Sequence, residues 1–466
     1  METTDQVRTP PPRRLRGREP LRVLFVTYAA NSHFYPMVPL AWALRSAGHE
    51  VRVASQPALA GTITDAGLTA VPLGRDHHLW RSVSRFTGKR FAELDPAAHA
   101  AVRGTRILPF ERVEHAPEDL DWDYLATMYA DLVRTWYKTV NNTMVDDLTD
   151  FALAWKPDLV LWEANSYAGA IAARSSGAAH GRLLSGMDIF GCTRQRFRDL
   201  RGSRAPHDRA DPLADWLGAR IGNRGGRFTE DLAVGQFTID QLPDALRMTA
   251  DLHYLRMRYV PYSGHAVVPG WLRSEPGRPR VALTLGVTAA AYFDGHGLAV
   301  QELLDSLADL DIDLVATIAE RERAELRGIP GNARVVPSVP LHALLPGCSA
   351  AIHHAGFGTL CSALNYGVPA LCVPERFDEP ALARRVARHG AGLALPMTEA
   401  TGDKVRAMVE RLLEKDSFRT GARSLRNQMH ELPAPSEVVP ELEKVVPEYR
   451  ARSGLGPRQG AHPKFG

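Results

Sequence analysis

The sequence predicts an α/β protein made of two doubly wound domains that face each other across a cleft. Apolar runs typical of buried parallel strands alternate with segments of helical spacing, and the alternation occurs in both halves of the chain. A stretch dense in Pro and Gly near residues 256–275 interrupts it, as expected of a linker. The length of 466 residues also exceeds that of one ordinary domain.

These features divide the chain into domains and tails. The first domain is expected over residues 21–255 and the second over residues 276–430. Residues 431–450 are predicted to form a C-terminal helix that packs back on the first domain. Residues 1–20 and 451–466 are polar and rich in Arg, Pro or Gly, and we predict disordered tails there.

The first domain opens with the apolar run LRVLFVT, which predicts a buried parallel strand. In this domain we predict strands at residues 21–27, 50–54, 68–72 and 158–162, and helices at residues 37–47, 59–66, 124–155 and 168–177. Residues 75–125 are irregular, charged and aromatic, and we expect them to cover the cleft. Residues 186–250 contain further helical, Arg-rich pieces.

The second domain repeats the alternation of strands and helices. We predict strands at residues 280–285, 313–317, 334–336, 350–352, 370–373 and 392–395. We predict helices at residues 301–307, 341–345, 359–366, 403–414, 420–429 and 438–450. Ligands of such sheets lie outside the carboxyl ends of the strands, so the cleft is expected to be lined by those ends from both domains.

Residues 348–380 hold the most informative motif, a strand followed by a loop of small residues and the start of a helix. The loop contains His353, His354, Ala355, Gly356, Phe357, Gly358 and Thr359. Small residues let backbone N–H groups approach a phosphate, and a helix N-terminus adds unpaired donors and partial positive charge. A histidine at the start of the loop can add a hydrogen bond or a charge. The alternative is a tight turn of the kind found in any α/β protein.

Other candidate groups lie at the ends of predicted strands. Gly286 and Thr288 form a second turn whose hydroxyl and N–H groups could reach the same phosphate. Asp378 and Glu379 could accept hydrogen bonds from sugar hydroxyls or an amino group, or could belong to a solvated loop. His33, in the loop after the first strand, could act as a general base, although a surface or capping role is the alternative.

Composition narrows the class of protein. The net charge of +3 is near neutral for this length and argues against nucleic-acid or membrane partners. The four cysteines lack metal-binding spacing and suit a reducing compartment, and the N-terminus lacks the apolar core of a secretory signal. We therefore expect a cytoplasmic protein. No Ser-His-Asp order, HExxH motif or Walker loop is present, so no sequence motif supports a hydrolase or a kinase.

The segment SVPLHALLPGCSAAIHHAGFGTLCSALNYGVPA resembles the signature of family-1 glycosyltransferases of the GT-B fold. Stretches of the first half, among them SHFYPMVPLAWALRSAGHEVRVASQPAL and NNTMVDDLTDFALAWKPDLVLWE, resemble actinomycete antibiotic glycosyltransferases. The similar stretches spread over most of residues 21–445. The nearest resemblance is to the desosaminyltransferase type, which acts in macrolide and anthracycline biosynthesis.

This resemblance implies two facing Rossmann-like domains and an inverting transfer. A deoxy(amino)sugar would move from a thymidine diphosphate (dTDP) sugar to a hydroxyl of a polyketide aglycone. It implies that His33 is the base, that His354 and the N–H groups around Gly356, Gly358 and Thr359 stabilise the leaving diphosphate, and that no metal is needed. The loop with Ser338, Val339 and Leu341 would hold thymine, and Asp378 would hold the sugar.

Three positions depart from the family pattern. Ala355 replaces a Gly, Ala370 replaces a Gln, and Glu379 replaces the Gln of an Asp-Gln pair. We expect Ala355 to permit the turn if its φ is negative, so that diphosphate binding survives. Glu379 could pair with a sugar ammonium or point to water.

The resemblance also raises questions about partners. A carboxylate of the first domain is expected to steady His33, with Asp65, Glu111, Glu118 and Asp123 as candidates. A helper protein of cytochrome P450 fold without haem is expected to bind first-domain helices. Whether the chain forms a homodimer is left open. Two other functions remain as alternatives: a sugar-nucleotide epimerase, and a non-catalytic homologue that binds sugar nucleotide.

Overall fold

The computed structural model describes residues 19–79, 114, 119–205, 209–284, 300–374 and 377–452. Over these residues the chain forms two parallel sheets, of seven and six strands, each packed between helices. The predicted α/β fold with two doubly wound domains is confirmed. None of the helices in this part of the chain combines the length and apolar character needed to cross a membrane.

The first sheet consists of β1 (Arg22–Val26), β2 (Glu50–Ser55), β3 (Ala70–Pro72), β4 (Leu159–Glu163), β5 (Ala179–Leu183), β6 (Phe237–Asp240) and β7 (Tyr254–Arg256). All neighbours are parallel, in the order β3-β2-β1-β4-β5-β6-β7. Val23 and Phe25 face one core, whereas Leu24 and Val26 face the other, since successive side chains of a strand point to opposite faces.

The helices of the first domain connect these strands. They are α1 (Asn31–Phe34), α2 (Val38–Ser46), α3 (Ala60–Asp65), α4 (Trp122–Leu132), α5 (Lys138–Asn141), α6 (Val145–Trp155), α7 (Ala168–Ser176), α8 (Ile189–Gly202), α9 (Pro212–Gly222) and α10 (Asp231–Val234). A π-helical segment, Val133–Tyr137, joins α4 to α5. Such segments are rare and often lie at functional sites.

The second sheet consists of β8 (Arg280–Thr284), β9 (Asp313–Thr317), β10 (Ala333–Val336), β11 (Cys348–His353), β12 (Ala370–Cys372) and β13 (Gly392–Ala394), in the parallel order β10-β9-β8-β11-β12-β13. The helices after β8 are α11 (Val300–Ser306), α12 (Glu320–Arg323), α13 (Leu341–Leu344), α14 (Phe357–Asn365), α15 (Glu379–Arg388), α16 (Gly402–Glu414), α17 (Asp416–Glu431) and α18 (Pro435–Arg452).

Each sheet has one point at which the strand order reverses, between β1 and β4 in the first and between β8 and β11 in the second. Open α/β sheets bind ligands outside the carboxyl ends of the strands at such points. His33 follows β1 and Glu163 ends β4, while Thr284 and His353 end β8 and β11. Both switch points therefore carry polar side chains suited to chemistry.

The last helix, α18, returns to the first domain. Val438, Leu442 and Val446 share a core with Val23 of β1. The chain thus passes between the domains twice, and the backbone N–H of Arg258 near the first passage donates to the Pro433 carbonyl near the second at 2.7 Å.

Several elements differ from the sequence predictions. The strands β5, β6 and β7 were not predicted. The sequence of β5, AHGRL, contains two basic residues, His180 and Arg182, which can be buried because each has an acidic partner, at 3.2 and 2.6 Å. The helix α15 was also not predicted. The helix predicted at residues 124–155 is interrupted by the π-helical segment and by a turn at residues 142–144.

Some predictions fall on parts of the chain that the structure leaves undescribed. The turn with Gly286 and Thr288 lies outside the described residues, as does most of the cover predicted at residues 75–125. The tails predicted at residues 1–20 and 451–466 also lie there, apart from residues 19, 20, 451 and 452.

Candidate active site

A cleft of about 530 Å³ lies between the carboxyl ends of the two sheets. The first domain contributes His33, and the second contributes most of the residues predicted to bind the donor. Predicted residues that line the cleft are His33, Ser338, Val339, Leu341, His354, Gly356, Phe357, Gly358, Thr359, Asp378 and Glu379. The structure therefore brings together groups that are up to 346 residues apart in the sequence (379 minus 33).

His33 lies in the short helix α1 rather than in the predicted loop. Its Nδ1 is 3.0 Å from Oε1 of Glu163 and 3.3 Å from Oγ of Ser185. The imidazole is 26% exposed, whereas the Glu163 side chain is 1% exposed. One edge of the imidazole thus meets a buried carboxylate while the ring borders the cleft.

Glu163 accepts hydrogen bonds from several groups. Its oxygens receive the backbone N–H of Asn165 at 3.0 Å, the Asn165 side-chain amide at 2.9 Å and the Ser166 hydroxyl at 3.2 Å. An ionised carboxylate can only accept, so Nδ1 of His33 must donate to it. The tautomer with the proton on Nδ1 leaves the Nε2 lone pair to take a proton, as a general base requires.

Glu163 was not among the four carboxylates named as possible partners of His33, and for two of those four the prediction is wrong. Asp65 is exposed and lies 3.6 Å from His265, and Asp123 is exposed in the first turn of α4. Glu111 and Glu118 lie outside the described residues. The sequence did hold a signal for Glu163, because it is an acidic residue at the carboxyl end of a strand that neighbours β1 at the switch point.

The predicted phosphate loop leads into α14, which begins at Phe357 after the cap residue Gly356. The first backbone hydrogen bond of the helix runs from Leu360 N–H to the Gly356 carbonyl. The N–H groups of Phe357, Gly358 and Thr359 precede it and have no partner within the helix, so they offer donors to an anion.

Gly356 leaves room for His354. A Cβ at residue 356 would lie 2.1 Å from Nε2 of His354, so any other residue would push the imidazole from its place across the loop. Nε2 of His354 is 3.8 Å from Oε1 of Glu379. Glu379 therefore contacts the histidine beside the phosphate loop rather than pointing only to water.

His353 has a structural role in the same loop. Its Nδ1 accepts the Ala355 N–H at 3.0 Å, so this nitrogen carries a lone pair. Burial lowers the pKa of His353 to about 3, and the neighbouring His354 acts in the same direction. A neutral ring that holds the turn in place suits a support for His354.

Ala355 overturns one expectation about this turn. Its φ is +66°, in the left-handed region that favours glycine, whereas the turn was expected to tolerate alanine on condition that φ is negative. The side chain is fully buried, and the His353 hydrogen bond holds the backbone in place. The turn survives the replacement of glycine by alanine, but at a cost in backbone strain.

The backbone strain at Ala355 leads to a prediction about the free energy of unfolding. Ala355→Gly should raise the free energy of unfolding by up to about 1 kcal/mol, because glycine adopts positive φ without the Cβ clash. Ala363→Gly in the interior of α14 should lower it by about 1 kcal/mol or more. Urea unfolding of both variants checks the opposite signs, and equal destabilisation by both would contradict the argument.

Asp378 joins the domains at the start of α15. Its Oδ2 accepts the Met187 backbone N–H of the first domain at 2.9 Å. Burial raises the pKa of Asp378 to about 6, an effect that the Met187 N–H opposes and the charge of Glu379 reinforces. This carboxylate is partly buried and borders the cleft, so it can also accept from a ligand hydroxyl.

Aromatic residues that the sequence analysis did not single out complete the cleft. Trp136, in the π-helical segment, packs edge-on against Phe377 of the second domain with ring centroids 5.3 Å apart. Tyr259 packs against Phe357 at 5.2 Å, and its hydroxyl donates to the Gly358 carbonyl at 3.3 Å. These contacts provide apolar walls across the interface between the domains.

Comparisons with known proteins identify the family of the chain. Two family models match the chain: "Erythromycin biosynthesis protein CIII-like, N-terminal domain" at residues 42–286 and "Erythromycin biosynthesis protein CIII-like, C-terminal domain" at residues 301–445. The chain is 47% identical over 431 residues to the 10-deoxymethynolide desosaminyltransferase of Streptomyces venezuelae, covering 92% of this chain and 98% of that protein.

Two further relatives extend the comparison. The chain is 42% identical over 445 residues to the TDP-daunosamine transferase DnrS of Streptomyces peucetius, covering 94% of this chain and 100% of that protein. The crystal structure of the glycosyltransferase VinC in complex with dTDP is similar, with a TM-score of 0.79 and 40% identity, covering 91% of this chain and 99% of that chain. The chain belongs to the erythromycin biosynthesis protein CIII-like family of antibiotic glycosyltransferases, and it has their GT-B fold.

Proposed function

We propose that this enzyme transfers a deoxy(amino)sugar from a dTDP-sugar to a hydroxyl of a macrolide or anthracycline-type polyketide aglycone, with inversion at the anomeric carbon. The observation that carries the proposal is the pairing of His33 and Glu163 in one domain, across a single cleft from the anion-binding end of α14 in the other. A base and a leaving-group site on opposite walls are what a direct displacement requires.

In the proposed reaction, Nε2 of His33 takes the proton of the acceptor hydroxyl. The acceptor oxygen forms a bond to the anomeric carbon as the bond from that carbon to the diphosphate oxygen breaks, and dTDP leaves with the electron pair. Glu163 holds the ring and stabilises the imidazolium that forms. His354 and the N–H groups at the start of α14 stabilise the charge that develops on the diphosphate, so we propose a reaction without metal.

The nature of the substrates is supported by relatives and by the cleft. The names of the relatives include a desosaminyltransferase of 10-deoxymethynolide and a TDP-daunosamine transferase, and VinC binds dTDP. Ser338, Val339 and Leu341 line the cleft and could contact thymine. We propose that Asp378, which also lines the cleft, holds the sugar. Trp136 and Phe377 supply apolar surface that suits a polyketide.

Incubation with a panel of dTDP-deoxysugars and polyketide aglycones, followed by mass spectrometry, tests the proposal. The expected result is a glycosylated polyketide together with dTDP. Formation of an epimerised sugar nucleotide without any acceptor product would favour the epimerase alternative. Tight binding of dTDP-sugars with no turnover under any condition would favour the non-catalytic alternative, because fold alone does not fix function.

We also propose a helper protein of P450 fold without haem, supported by the resemblance of residues 141–161 to the desosaminyltransferase group. In the structure this segment includes α6, on which Leu153 is 42% exposed. The expected result is a large gain in product when the helper is added to the assay above. Full activity of the purified chain alone would contradict this part of the proposal. Size-exclusion chromatography of the same samples would show whether the chain forms a homodimer.

A further inference from the structure

A short loop of the first domain contacts the proposed catalytic groups of both domains. Residues 185–187 follow β5 and precede α8, and we refer to them as the 185–187 loop. Oγ of Ser185 lies 3.3 Å from Nδ1 of His33, and two residues later the Met187 N–H donates to Oδ2 of Asp378 at 2.9 Å. The base and the proposed sugar-binding carboxylate therefore share one support.

Buried interactions hold this loop in place from both ends. Before it, the Leu184 N–H donates to the Ile239 carbonyl at 3.0 Å, and the Leu184 carbonyl accepts the Gln241 side chain at 2.9 Å. After it, Asp188 makes a two-pronged ion pair with Arg182 at 2.8 and 2.6 Å. Both partners of that pair are almost completely buried, so the loop has little freedom to shift.

Gly186, in the middle of the loop, leaves room for the carboxylate. A Cβ at residue 186 would lie 2.5 Å from Oδ2 of Asp378, closer than real side-chain contacts allow. Its backbone φ is not in the left-handed region, so the close approach of Asp378, and not backbone conformation, demands glycine. Any side chain there must displace the loop or the carboxylate.

We infer that the 185–187 loop of the first domain is part of the donor-sugar site, with Gly186 and Met187 fixing where Asp378 meets the sugar. The inference rests on the proposed function and adds to it a determinant of sugar binding from the domain that carries the base. The Met187 N–H that orients Asp378 belongs to the other domain, so this support exists only when the two domains are in contact. Ser185 places the base against the same loop.

The inference is tested by separating sugar binding from nucleotide binding. Isothermal titration of the purified chain with dTDP and with dTDP-glucose gives the ratio of the two Kd values. In Gly186→Ala this ratio, dTDP-glucose over dTDP, should rise about tenfold or more as the hydrogen bond to a displaced Asp378 is lost, while the Kd of dTDP stays within about twofold. Gly202→Ala is the matched control, since a Cβ there meets nothing within 4 Å.

Repeating the measurement in an Asp378→Ala variant shows whether Gly186→Ala changes the Kd ratio through Asp378. Asp378→Ala should raise the ratio by a similar factor, and adding Gly186→Ala to it should change nothing further, because the atoms struck by the new Cβ are gone. Thermal melts verify folding, and the double variant is expected to fold even where Gly186→Ala alone does not. An unchanged ratio in Gly186→Ala, or an equal rise in both backgrounds, overturns the inference. Failure of the wild-type chain to bind dTDP would instead refute the proposed function.

Discussion

His33→Ala should lower the turnover of aglycone glycosylation by about 10²–10⁴-fold and leave the Kd of dTDP nearly unchanged. The imidazole is the group whose Nε2 can take the acceptor proton, since Nδ1 is committed to Glu163 at 3.0 Å. It lies in the first domain, whereas the proposed nucleotide site lies in the second. Single-turnover kinetics with saturating donor, together with titration of dTDP, separates the two effects.

His265→Ala is the matched control for this experiment. His265 is exposed, contacts Asp65 at 3.6 Å and is not itself among the residues that line the cleft. Its replacement should leave both turnover and dTDP binding unchanged. Turnover of His33→Ala equal to that of the wild type would remove His33 from the mechanism.

Glu163→Gln should have the second largest effect, a fall in turnover of about 10²–10⁴-fold. All the hydrogen-bond partners of Glu163 described above are donors, and the amide of Gln would present an N–H₂ group to one of them. If that group faces His33, the ring must carry its proton on Nε2 and can no longer act as a base. The Kd of dTDP should again change little, because Glu163 lies in the first sheet.

Asp231→Asn provides a control with the same chemistry in another place. Asp231 pairs with the buried His180 at 3.2 Å, and neither residue lines the cleft. This variant should lose stability without losing turnover per folded molecule. If Glu163→Gln lost no more activity than Asp231→Asn, the carboxylate would have only a structural role.

The sequence allowed most of the fold to be predicted wherever strands were apolar and buried on both faces. β1, β4, β8, β9 and β11 all follow that rule, and their places relative to the helices were predicted correctly. β5 was missed because His180 and Arg182 interrupt its apolar pattern, and hydrophobic periodicity does not show that they pair with Asp231 and Asp188. Burial of charge in a strand becomes interpretable only when its partner is known.

The candidate site was predictable to a similar degree, with the same kind of gap. His33 and the loop around His354 carry local signals, so their meeting in one cleft follows from the fold. Glu163, Ser185 and Gly186 have roles set by side chains that arrive from other strands or from the other domain. The positive φ of Ala355 could not be predicted from the residue type, because alanine ordinarily avoids that conformation.

The hydrogen bond between Arg258 and Pro433 has a mechanical consequence. The polypeptide passes between the domains at two places that this bond joins to each other, so we expect the bond to oppose sliding or separation of the domains there. We expect their relative motion to be mainly a rotation about an axis through these paired crossings, with α18 moving as part of the first domain, whose core it shares. Substrate entry and product release would then occur by a hinge-like opening of the cleft, which would break the hydrogen bond between Met187 and Asp378.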